Sequence, residues 1–296
     1  MNKVLTLIVN PLNDKLSNTD VNIVVDLMKS HACDVAQPRW LAQEEAVDIA
    51  FSGEMLPAYI ERLADSLNAD FAIQEYATRA KKMLIADMDS TMITEECIDE
   101  LADFAGLKDK VSAITEAAMR GELDFNAALS ERVGLLKGMK TDVLEQCYRE
   151  RINLMPGAMS LVKTMNANGA LTALVSGGFT FFTSRIAARL GFALNHANVL
   201  NEENGALAGT VKLPICNSST KLESLITLRD QHAFQSHEVL AVGDGANDIP
   251  MIEAAGLGIA YHAKPKARAA ADVSINHSDL SALLFIQGYS RNDFIV

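Results

Sequence analysis

The chain has 296 residues, enough for two domains, and its 49% hydrophobic content supports sizeable cores. The 38 acidic residues outnumber the 26 basic ones and give a formal net charge of −12. This balance argues against a nucleic-acid or anionic-membrane partner, because no basic stripe is available to neutralise phosphates. No apolar run approaches the roughly 18 residues that a membrane-spanning helix requires.

The cysteines and the N-terminus indicate a cellular location. The four cysteines form no CxxC pair and are widely spaced, at Cys33, Cys97, Cys147 and Cys216. Such spacing is typical of reduced, mostly buried thiols in a cytosolic protein. The apolar stretch after Lys3 is interrupted by Asn10 and Pro11 and has no small-residue cleavage site, which argues against a signal peptide. We therefore expect a soluble, cytoplasmic protein.

Residues 1–75 are predicted to form a self-contained unit. Its expected strands and helices lie at Val4 to Val9, Asn22 to Met28, Trp40 to Leu41, Ala46 to Phe51, Leu56 to Leu67 and Phe71 to Ile73. The resulting order βαββαβ indicates a small ferredoxin-like α+β sandwich. Residues 76–82 belong to a polar stretch, which we interpret as a linker.

Residues 83–296 are predicted to form a doubly wound α/β domain with a parallel sheet, because buried apolar strands alternate with helices. The expected strands are Met83 to Ala86, Leu171 to Val175, Val239 to Val242, and two more near Gly258 and Val273. The expected helices are Ala158 to Ala167, which stops at Asn168-Gly169, and Thr220 to Arg229. Asn204-Gly205 is typical of a hairpin turn.

The stretch from about residue 95 to 152 contains no convincing strand. Its apolar residues recur with helical spacing, as in Ile98, Leu101 and Ala105. A connection between a strand and a helix usually takes about 2 to 6 residues, so this stretch is a helical insertion. Above the end of the preceding strand, it would form a cap that excludes water from a site.

Three of the apolar strands are followed by loops of small or acidic residues. The loops are 87–91 (DMDST), 176–178 (SGG) and 243–248 (GDGAND). An Asp followed by Ser or Thr is often only a helix N-cap, so a single loop of this kind could be structural. Ligands of open α/β sheets bind beyond the carboxyl ends of the strands. Three such loops at that edge therefore indicate a functional site.

Other motifs do not fit the sequence. The pair Gly243-x-Gly245 is followed by Asp248, where a dinucleotide fingerprint needs its third glycine. Leu174 lies two residues before Ser176, so the GxSxG pattern of serine hydrolases is absent. No Walker A segment is present, and the six histidines show no zinc-ligand spacing.

The residues of the three loops suit a metal and a phosphate. Asp87 and Asp244 can offer carboxylate oxygens to Mg²⁺, and the loop backbone can offer another oxygen. Ser176 and the amides of the two glycines after it, expected at a helix start, can donate hydrogen bonds to a phosphate. Lys221 could be an ordinary surface lysine. A phosphate dianion beside an aspartate nucleophile would instead require its positive charge.

Three segments carry a resemblance to a known family: residues 87–100 (DMDSTMITEECIDE), 174–182 (LVSGGFTFF) and 241–251 (AVGDGANDIPM). They resemble the motifs of the haloacid-dehalogenase-type phosphatases, and within that family the members that act on phosphoserine. The resemblance covers roughly Met83 to Leu284, and the N-terminal unit resembles ACT-like domains. It implies Mg²⁺-dependent hydrolysis of O-phospho-L-serine to L-serine and phosphate, the last step of serine biosynthesis.

The resemblance also implies roles for the core residues. Asp87 corresponds to the nucleophile that forms an aspartyl-phosphate, and Asp89 to the general acid and base. The Mg²⁺ ligands correspond to the side chains of Asp87 and Asp244 and the backbone carbonyl of Asp89, with Asp248 holding the surroundings of the metal. The phosphate-binding residues correspond to Ser176, Gly177, Lys221 and Asn247.

Four residues of the cap correspond to those that select the substrate. Arg132 matches the family's carboxylate clamp, for which a guanidinium can be bidentate, and Glu96 matches the residue that faces the ammonium group. Met119 and Phe125 match the apolar closure of the pocket. Without the resemblance, Glu96 and Arg132 could be solvated helix charges, and Met119 and Phe125 could belong to the core of the cap.

Two alternatives stay open. The first is a related small-metabolite phosphatase or phosphotransferase, acting for example on phosphohomoserine. The second is a regulatory amino-acid-binding protein with an inactive α/β part, although the retention of Asp87, Asp89, Lys221 and Asp244 argues against a dead site. In either case the N-terminal unit could bind serine or mediate a homodimer.

Overall fold

The computed structural model describes residues 1–296 and begins with an antiparallel sheet that carries two helices. The elements are β1 (Lys3–Val9), α1 (Asn18–Ser30), β2 (Asp34–Val35), β3 (Arg39–Ala42), β4 (Ala46–Ser52), α2 (Pro57–Ser66) and β5 (Ala69–Glu75). The sheet order is β2-β4-β1-β5, and β3 also pairs with β4. The predicted βαββαβ order is therefore present, with the two-residue strand β2 as an addition.

The first helices form where the sequence provides starting signals. Ser17 caps α1, because its hydroxyl accepts the Asp20 amide at 3.2 Å while the Asp20 carboxylate accepts the Ser17 amide at 2.8 Å. Pro57 opens α2, where its missing N–H costs nothing. The buried side of α1 includes Val24 and Met28, which pack in one cluster with residues of β1 and β4.

From residue 83 onward, the chain is built on a parallel sheet. Its elements are β6 (Met83–Ala86), α3 (Cys97–Asp103), α4 (Lys108–Met119), α5 (Phe125–Leu135), α6 (Asp142–Arg151), α7 (Ala158–Ala167), β7 (Leu171–Phe179), α8 (Thr180–Leu190), β8 (Leu194–Asn198), β9 (Leu200–Glu203), β10 (Ala206–Val211), α9 (Ser218–Gln231), β11 (Val239–Gly243), α10 (Ile249–Ala254), β12 (Leu257–Tyr261), α11 (Pro265–Ala270), β13 (Val273–Ile275) and α12 (Ala282–Ile286). Short 3₁₀ helices lie at Tyr76–Thr78, Ser236–Glu238, Ala246–Asp248 and Arg291–Asp293. No helix is both long enough and apolar enough to cross a membrane.

The strand order of the parallel sheet places the three loops side by side. The order is β13-β12-β11-β6-β7-β8, so β6 lies between β11 and β7. Ala86, the last residue of β6, is in register with Val242 on one side and Leu174 on the other. The three polar segments therefore begin at neighbouring points of the same sheet edge.

Strand β7 differs from the sequence-based expectation. Ser176, Gly177 and Gly178 were expected in a loop at a helix start, but β7 continues through them to Phe179 and α8 begins at Thr180. The pairing of β7 with β8 shifts between Val175 and Phe179, so the two glycines lie at an irregularity within the strand. The strand β8 itself was not predicted, because its sequence, LNHAN, has no continuous apolar run.

The cap consists of the four helices α3 to α6, which occupy the predicted insertion. Its apolar residues Leu101, Val111, Leu129 and Leu144 belong to the same buried cluster as residues of the parallel sheet. A bridge between Ile93 and Leu154 closes the base of the insertion. The cap is thus packed on the sheet domain and lies against the edge where the site forms.

The segment 76–82, predicted as a linker, is anchored by two buried basic residues, Arg79 and Lys81. Arg79 is only 6% exposed and forms an ion pair with Asp48 at 2.8 Å. The ammonium group of Lys81 donates to the carbonyl oxygens of Thr78 and His237, at 2.9 and 2.8 Å. This connection therefore holds the antiparallel and parallel sheets in contact.

The two sheets share a buried interface. Helix α12 is apolar along its whole length, and all five of its residues are buried. Ile8 and Ala72 of the antiparallel sheet belong to the same core cluster as α12. Beside it, the Asp70 carboxylate accepts hydrogen bonds from the amides of residues 276–278, at 2.7 to 3.3 Å. The antiparallel sheet therefore covers an apolar surface that would otherwise meet water.

Candidate functional site

The site lies at the carboxyl ends of β6, β7 and β11. Asp87 follows β6 and its amide donates to the Val242 carbonyl of β11 at 3.0 Å. Asp244 follows β11, and Ser176 lies near the end of β7. These three side chains are almost fully buried, with exposures of 3%, 4% and 1%. The structure thus brings together the three segments that the sequence singles out.

An acidic cluster forms the floor of the site. Carboxylate oxygens of Asp87, Asp244 and Asp248 lie within 4.8 Å of one another. Both Asp248 oxygens are engaged: Oδ1 accepts from Lys221 at 2.6 Å, and Oδ2 accepts the amides of Asp244 and Gly245 at 3.1 Å. In Asp244, a hydrogen bond from Thr91 at 3.3 Å uses only Oδ1. The backbone carbonyl of Asp89 accepts no hydrogen bond. Asp244 and this carbonyl therefore retain oxygen atoms that can bind a cation.

The donor set fits a hard divalent cation, since oxygen atoms from carboxylates and a carbonyl are the ligands that Mg²⁺ prefers. Burial raises the pKa of Asp87 to about 7, with a further contribution from the charge of Asp248, against the opposing effect of Lys221. Burial, followed by the charges of Asp248 and Asp87, raises the pKa of Asp244 well above its usual range. The cluster has more negative charge than Lys221 can balance, which favours binding of a cation.

Lys221 lies beneath the acids and not on the surface. Its side chain is completely buried, and Nζ lies 2.7 Å from Asp87 Oδ2 and 2.6 Å from Asp248 Oδ1. Burial alone would lower its pKa, but the two carboxylates have the larger combined effect and raise it above its ordinary value. It is therefore a fixed positive charge beside Asp87, and the surface-lysine interpretation is wrong.

Asp89 is held from two sides. Its Oδ1 accepts the Cys97 amide at the start of α3, at 2.8 Å, and its Oδ2 accepts the Ser176 hydroxyl at 3.2 Å. Burial raises the pKa of Asp89, while the hydrogen bonds from Cys97 and Ser176 act in the opposite direction. A raised pKa makes a carboxyl group a better proton donor and acceptor near neutral pH. Burial therefore shifts the pKa of Asp89 in the direction that favours acid–base catalysis.

The two glycines of β7 lie in close contact with other groups of the site. The Gly178 amide donates to the Ser176 hydroxyl at 2.8 Å and is not directed at a ligand, so its prediction as a phosphate donor is wrong. A Cβ on Gly178 would lie 2.6 Å from Asp89 Oδ2, and one on Gly177 would lie 2.5 Å from the Phe125 ring. Both positions therefore require glycine because other groups of the site approach the backbone closely.

A small cavity separates the cap from these loops. Its volume is about 40 Å³, room for about three water molecules. Nine of the residues predicted for the site line it: Asp87, Asp89, Glu96, Met119, Phe125, Arg132, Ser176, Gly177 and Asn247. The other three, Lys221, Asp244 and Asp248, lie outside the lining. The cap therefore closes directly over the catalytic loops, and a larger ligand requires its side chains to move.

The cap closes through apolar and polar contacts. Phe125 packs on Gly177, and the Met119 side chain packs on Gly245, where an added Cβ would lie 2.5 Å from the methionine Cε. At the rim, Lys264 Nζ lies 3.0 Å from a carboxylate oxygen of Glu116 in α4. Met119 and Phe125 are half-buried, so they are neither free surface residues nor the centre of the cap's core.

The two charged residues of the cap are not solvated helix charges. Arg132 is 5% exposed, and burial lowers its pKa while the charges of Glu96 and Asp99 oppose that effect. Glu96 is half-buried, and Ser90 donates to its Oε1 at 2.6 Å. Burial, then the charges of Asp89 and Asp244, raise the pKa of Glu96 well above its usual range. Arg132 and Glu96 thus present one positive and one acidic group to a single cavity.

Asn247 provides a further indication of a ligand. Its side-chain Oδ1 is buried and has no hydrogen-bond partner, and the residue lines the cavity. A buried polar atom without a partner costs free energy, about 1 to 3 kcal/mol. A bound polar ligand would remove that cost.

Sequence reasoning did not identify several residues that support the site. Thr91 and Ser90 bind site carboxylates, and Thr115 links Asp99 to Arg132. The two hydroxyls of the segment 87–91 were a usable signal, because they follow the aspartates directly. Asp99 and Thr115 gave none, since only folding brings these helices together.

Comparisons with known proteins agree with this geometry. The model of the haloacid dehalogenase-like hydrolase family matches residues 84–253. A phosphoserine phosphatase of Haemophilus influenzae is 39% identical over 258 residues, which cover 86% of this chain and 81% of that protein. The crystal structure of a haloacid dehalogenase-family hydrolase of Salmonella enterica has a TM-score of 0.83 at 31% identity, over 97% of this chain and 99% of that one. A solved phospho-aspartyl intermediate analogue of phosphoserine phosphatase has a TM-score of 0.67 at 37% identity, over 70% of this chain and 98% of that one.

Proposed function

The chain belongs to the haloacid dehalogenase-like hydrolase family, and we propose that it hydrolyses O-phospho-L-serine to L-serine and phosphate. One observation carries this proposal: a single cavity is lined by Asp87 and Asp89 as well as by Glu96 and Arg132. The two aspartates suit a phosphoryl group, whereas the cap residues suit the ammonium and carboxylate of an amino acid. The product would make the reaction the last step of serine biosynthesis.

Two aspartates would perform the chemistry. A carboxylate oxygen of Asp87 attacks phosphorus, so that an aspartyl-phosphate forms and the bond from phosphorus to the seryl oxygen breaks. Asp89 donates its proton to that oxygen. In the second step Asp89 takes a proton from water, which attacks phosphorus and releases phosphate and the Asp87 carboxylate. The solved phospho-aspartyl intermediate analogue of a related phosphatase supports an aspartyl-phosphate as the intermediate.

We propose that the site holds Mg²⁺. The side chains of Asp87 and Asp244 and the carbonyl of Asp89 would be its ligands, and Asp248 would orient the loop from outside, since both its oxygens are already engaged. When bound, the cation would offset the negative charge of the acids and the phosphate.

The phosphate would be held by Ser176, Gly177, Lys221 and Asn247. Lys221 supplies a fixed positive charge 2.7 Å from Asp87, and Asn247 has an unpaired buried amide oxygen. A flip of this side-chain amide would aim its NH₂ group at the phosphate. These groups would lower the cost of bringing a dianion beside an aspartate.

The cap would select the substrate and exclude water. Arg132 would bind the carboxylate, Glu96 would face the ammonium, and Met119 and Phe125 would close the pocket. The volume of about 40 Å³ is too small for phosphoserine, so the cap side chains must move to admit it and then close again.

The N-terminal unit and the cellular setting belong to the same proposal. We place an ACT-like domain at residues 1–75, a linker at 76–82 and the phosphatase domain at 83–296, with its cap at about 95–152. A homodimer formed through the N-terminal domain, and serine as its ligand, remain proposals. A cytoplasmic location is supported by the four cysteines, all buried and free of disulfides.

A panel of phosphomonoesters tests the proposed function. In the presence of Mg²⁺, O-phospho-L-serine should have the highest kcat/KM among phosphoserine, phosphohomoserine, phosphoethanolamine and p-nitrophenyl phosphate. A higher value for phosphohomoserine would indicate a related small-metabolite phosphatase. No hydrolysis of any member would contradict catalysis and favour a regulatory amino-acid-binding role.

A further inference from the structure

Arg132 is bound inside the cap by two hydrogen bonds. Its Nε donates to the Ala128 carbonyl at 3.2 Å, and its Nη1 donates to the Thr115 hydroxyl at 2.9 Å. A guanidinium has five N–H donors, so three remain for a ligand. The two hydrogen bonds already made set the direction of the three free N–H groups. The hydrogen bond to Thr115 fixes the guanidinium at the end of the side chain.

Thr115 is itself bound to an acid. Its hydroxyl lies 2.6 Å from Asp99 Oδ1 and 3.1 Å from the Val111 carbonyl. A hydroxyl has a single proton, which goes to the nearer carboxylate because a charged acceptor forms the stronger bond. The lone pairs of Thr115 are then directed towards Arg132. Asp99, Thr115 and Arg132 form a chain of hydrogen bonds from one cap helix to the next.

The acid is not needed to satisfy the threonine. A helical threonine can donate to the carbonyl four residues earlier, and Val111 is in that position. Asp99 is nevertheless 8% exposed, and burying a carboxylate is costly unless it is paired. Its charge acts on Arg132, whose pKa it helps to keep from falling further. The chain of hydrogen bonds from Asp99 through Thr115 thus ends at the Arg132 guanidinium.

We propose that Thr115 and Asp99 are positioning residues, which orient the Arg132 guanidinium towards the carboxylate of the substrate. This inference rests on the proposed function. Thr115 lines the cavity together with Arg132, whereas Asp99 stands behind it. Because the three residues belong to α3, α4 and α5, the chain also ties together the helices that surround the pocket.

Thr115→Val is the direct test, since it keeps the size and removes the hydroxyl. KM for phosphoserine should rise about 10-fold to 100-fold, the effect of losing a hydrogen bond to a charged group. The kcat should stay within about 3-fold, because the proposal assigns Arg132 to the carboxylate and not to the phosphate. KM for phosphoethanolamine, which has no carboxylate, should change less than about 2-fold. Arg132→Ala gives the upper limit of the same effect.

Three further variants distinguish a role in positioning Arg132 from a general effect on protein stability. Thr115→Ser restores the hydroxyl and should recover most of the wild-type KM. Asp99→Asn keeps an acceptor without the charge and should raise KM for phosphoserine by less than Thr115→Val. Thr164→Val is the matched control, because Thr164 is a fully buried threonine of α7 outside the cavity, and it should leave the preference for phosphoserine unchanged.

The outcomes distinguish the positioning role of Thr115 and Asp99 from the proposed phosphatase function. If the wild type prefers phosphoserine but Thr115→Val raises KM equally for both esters, or Thr115→Ser fails to recover it, the positioning role is contradicted while the proposed function stands. If the wild type hydrolyses phosphoethanolamine as efficiently as phosphoserine, both are contradicted, since no carboxylate is then recognised.

Discussion

The ammonium nitrogen of Lys221 lies 2.7 Å from Oδ2 of Asp87, and neither side chain is more than 4% exposed. A buried charge of this kind requires a partner, and here Asp248 provides a second one at 2.6 Å. The pair therefore orients Asp87, compensates its charge and provides the positive potential for an approaching phosphate.

Replacing Lys221 by Met should destabilise the protein as well as inactivate it. Breaking a buried ion pair costs about 3 to 5 kcal/mol, because the partner is left buried and uncompensated. Urea denaturation of the metal-free protein at pH 8 measures this loss. Lys29→Met is the control, since Lys29 is exposed at the end of α1 and should change stability by less than about 0.5 kcal/mol. Equal effects of the two variants would show that Lys221 contributes no buried pair.

Affinity for Mg²⁺ should fall as the solution becomes acidic. The pKa of Asp87 is raised to about 7, chiefly by burial. Below that pH a proton occupies the carboxylate that the cation needs, so each unit of pH lost should weaken the apparent affinity by up to about 10-fold. Above pH 8 the affinity should level off. Calorimetric titration at pH 6, 7, 8 and 9 measures the trend, and an identical Kd at pH 6 and 8 would rule out proton competition.

Gly177→Ala should impair closure of the cap. The added Cβ would lie 2.5 Å from the end of the Phe125 ring, which must then move away from the loop. A displacement of this size at a catalytic site is expected to lower kcat/KM about 10-fold to 100-fold. Adding Phe125→Ala removes the clash, so the double variant should be less impaired than the sum of the single effects. Additive losses would mean that the two residues do not meet during catalysis.

Asp70→Ala should loosen the interface between the two sheets. The Asp70 carboxylate is 2% exposed and accepts hydrogen bonds from the amides of residues 276–278. Removing the acceptor shared by these amides should cost about 2 to 4 kcal/mol. Thermal unfolding measures the loss, and Asp65→Ala, an exposed position of α2, is the control. This substitution is a more discriminating test than deletion of residues 1–75, which would also expose α12. A melting temperature equal to that of the control would argue against a stabilising role of the Asp70 hydrogen bonds.

Much of the catalytic centre follows from local sequence. The strand segments before Asp87, Ser176 and Asp244 are mostly apolar, and the carboxyl ends of parallel strands lie at a common sheet edge. That reasoning identifies the loops and the fold class. It does not show which hydrogen bonds and ion pairs the loop residues form. The Gly178 amide binds Ser176, and Lys221, for which a surface position was an open alternative, is completely buried.

What could not be predicted depends on contacts between distant parts of the chain. Asp99 and Thr115 look like ordinary helix residues until α3 and α4 pack together. Asp70 lies 206 to 208 residues before the amides that it binds. Helix α12 is only five residues long, and nothing in its sequence shows that the antiparallel sheet covers it. Such pairings are set by the packing of whole elements and leave no local pattern.

The most direct test of the account is the identity of the phosphorylated residue. The enzyme is mixed with phosphoserine and Mg²⁺, quenched within one turnover and reduced with borohydride, which converts an aspartyl-phosphate to homoserine. Peptide mass spectrometry should then find homoserine at position 87, and Asp87→Asn should give none. Homoserine at another aspartate, or turnover by Asp87→Asn at the wild-type rate, would contradict the central claim that Asp87 is the nucleophile.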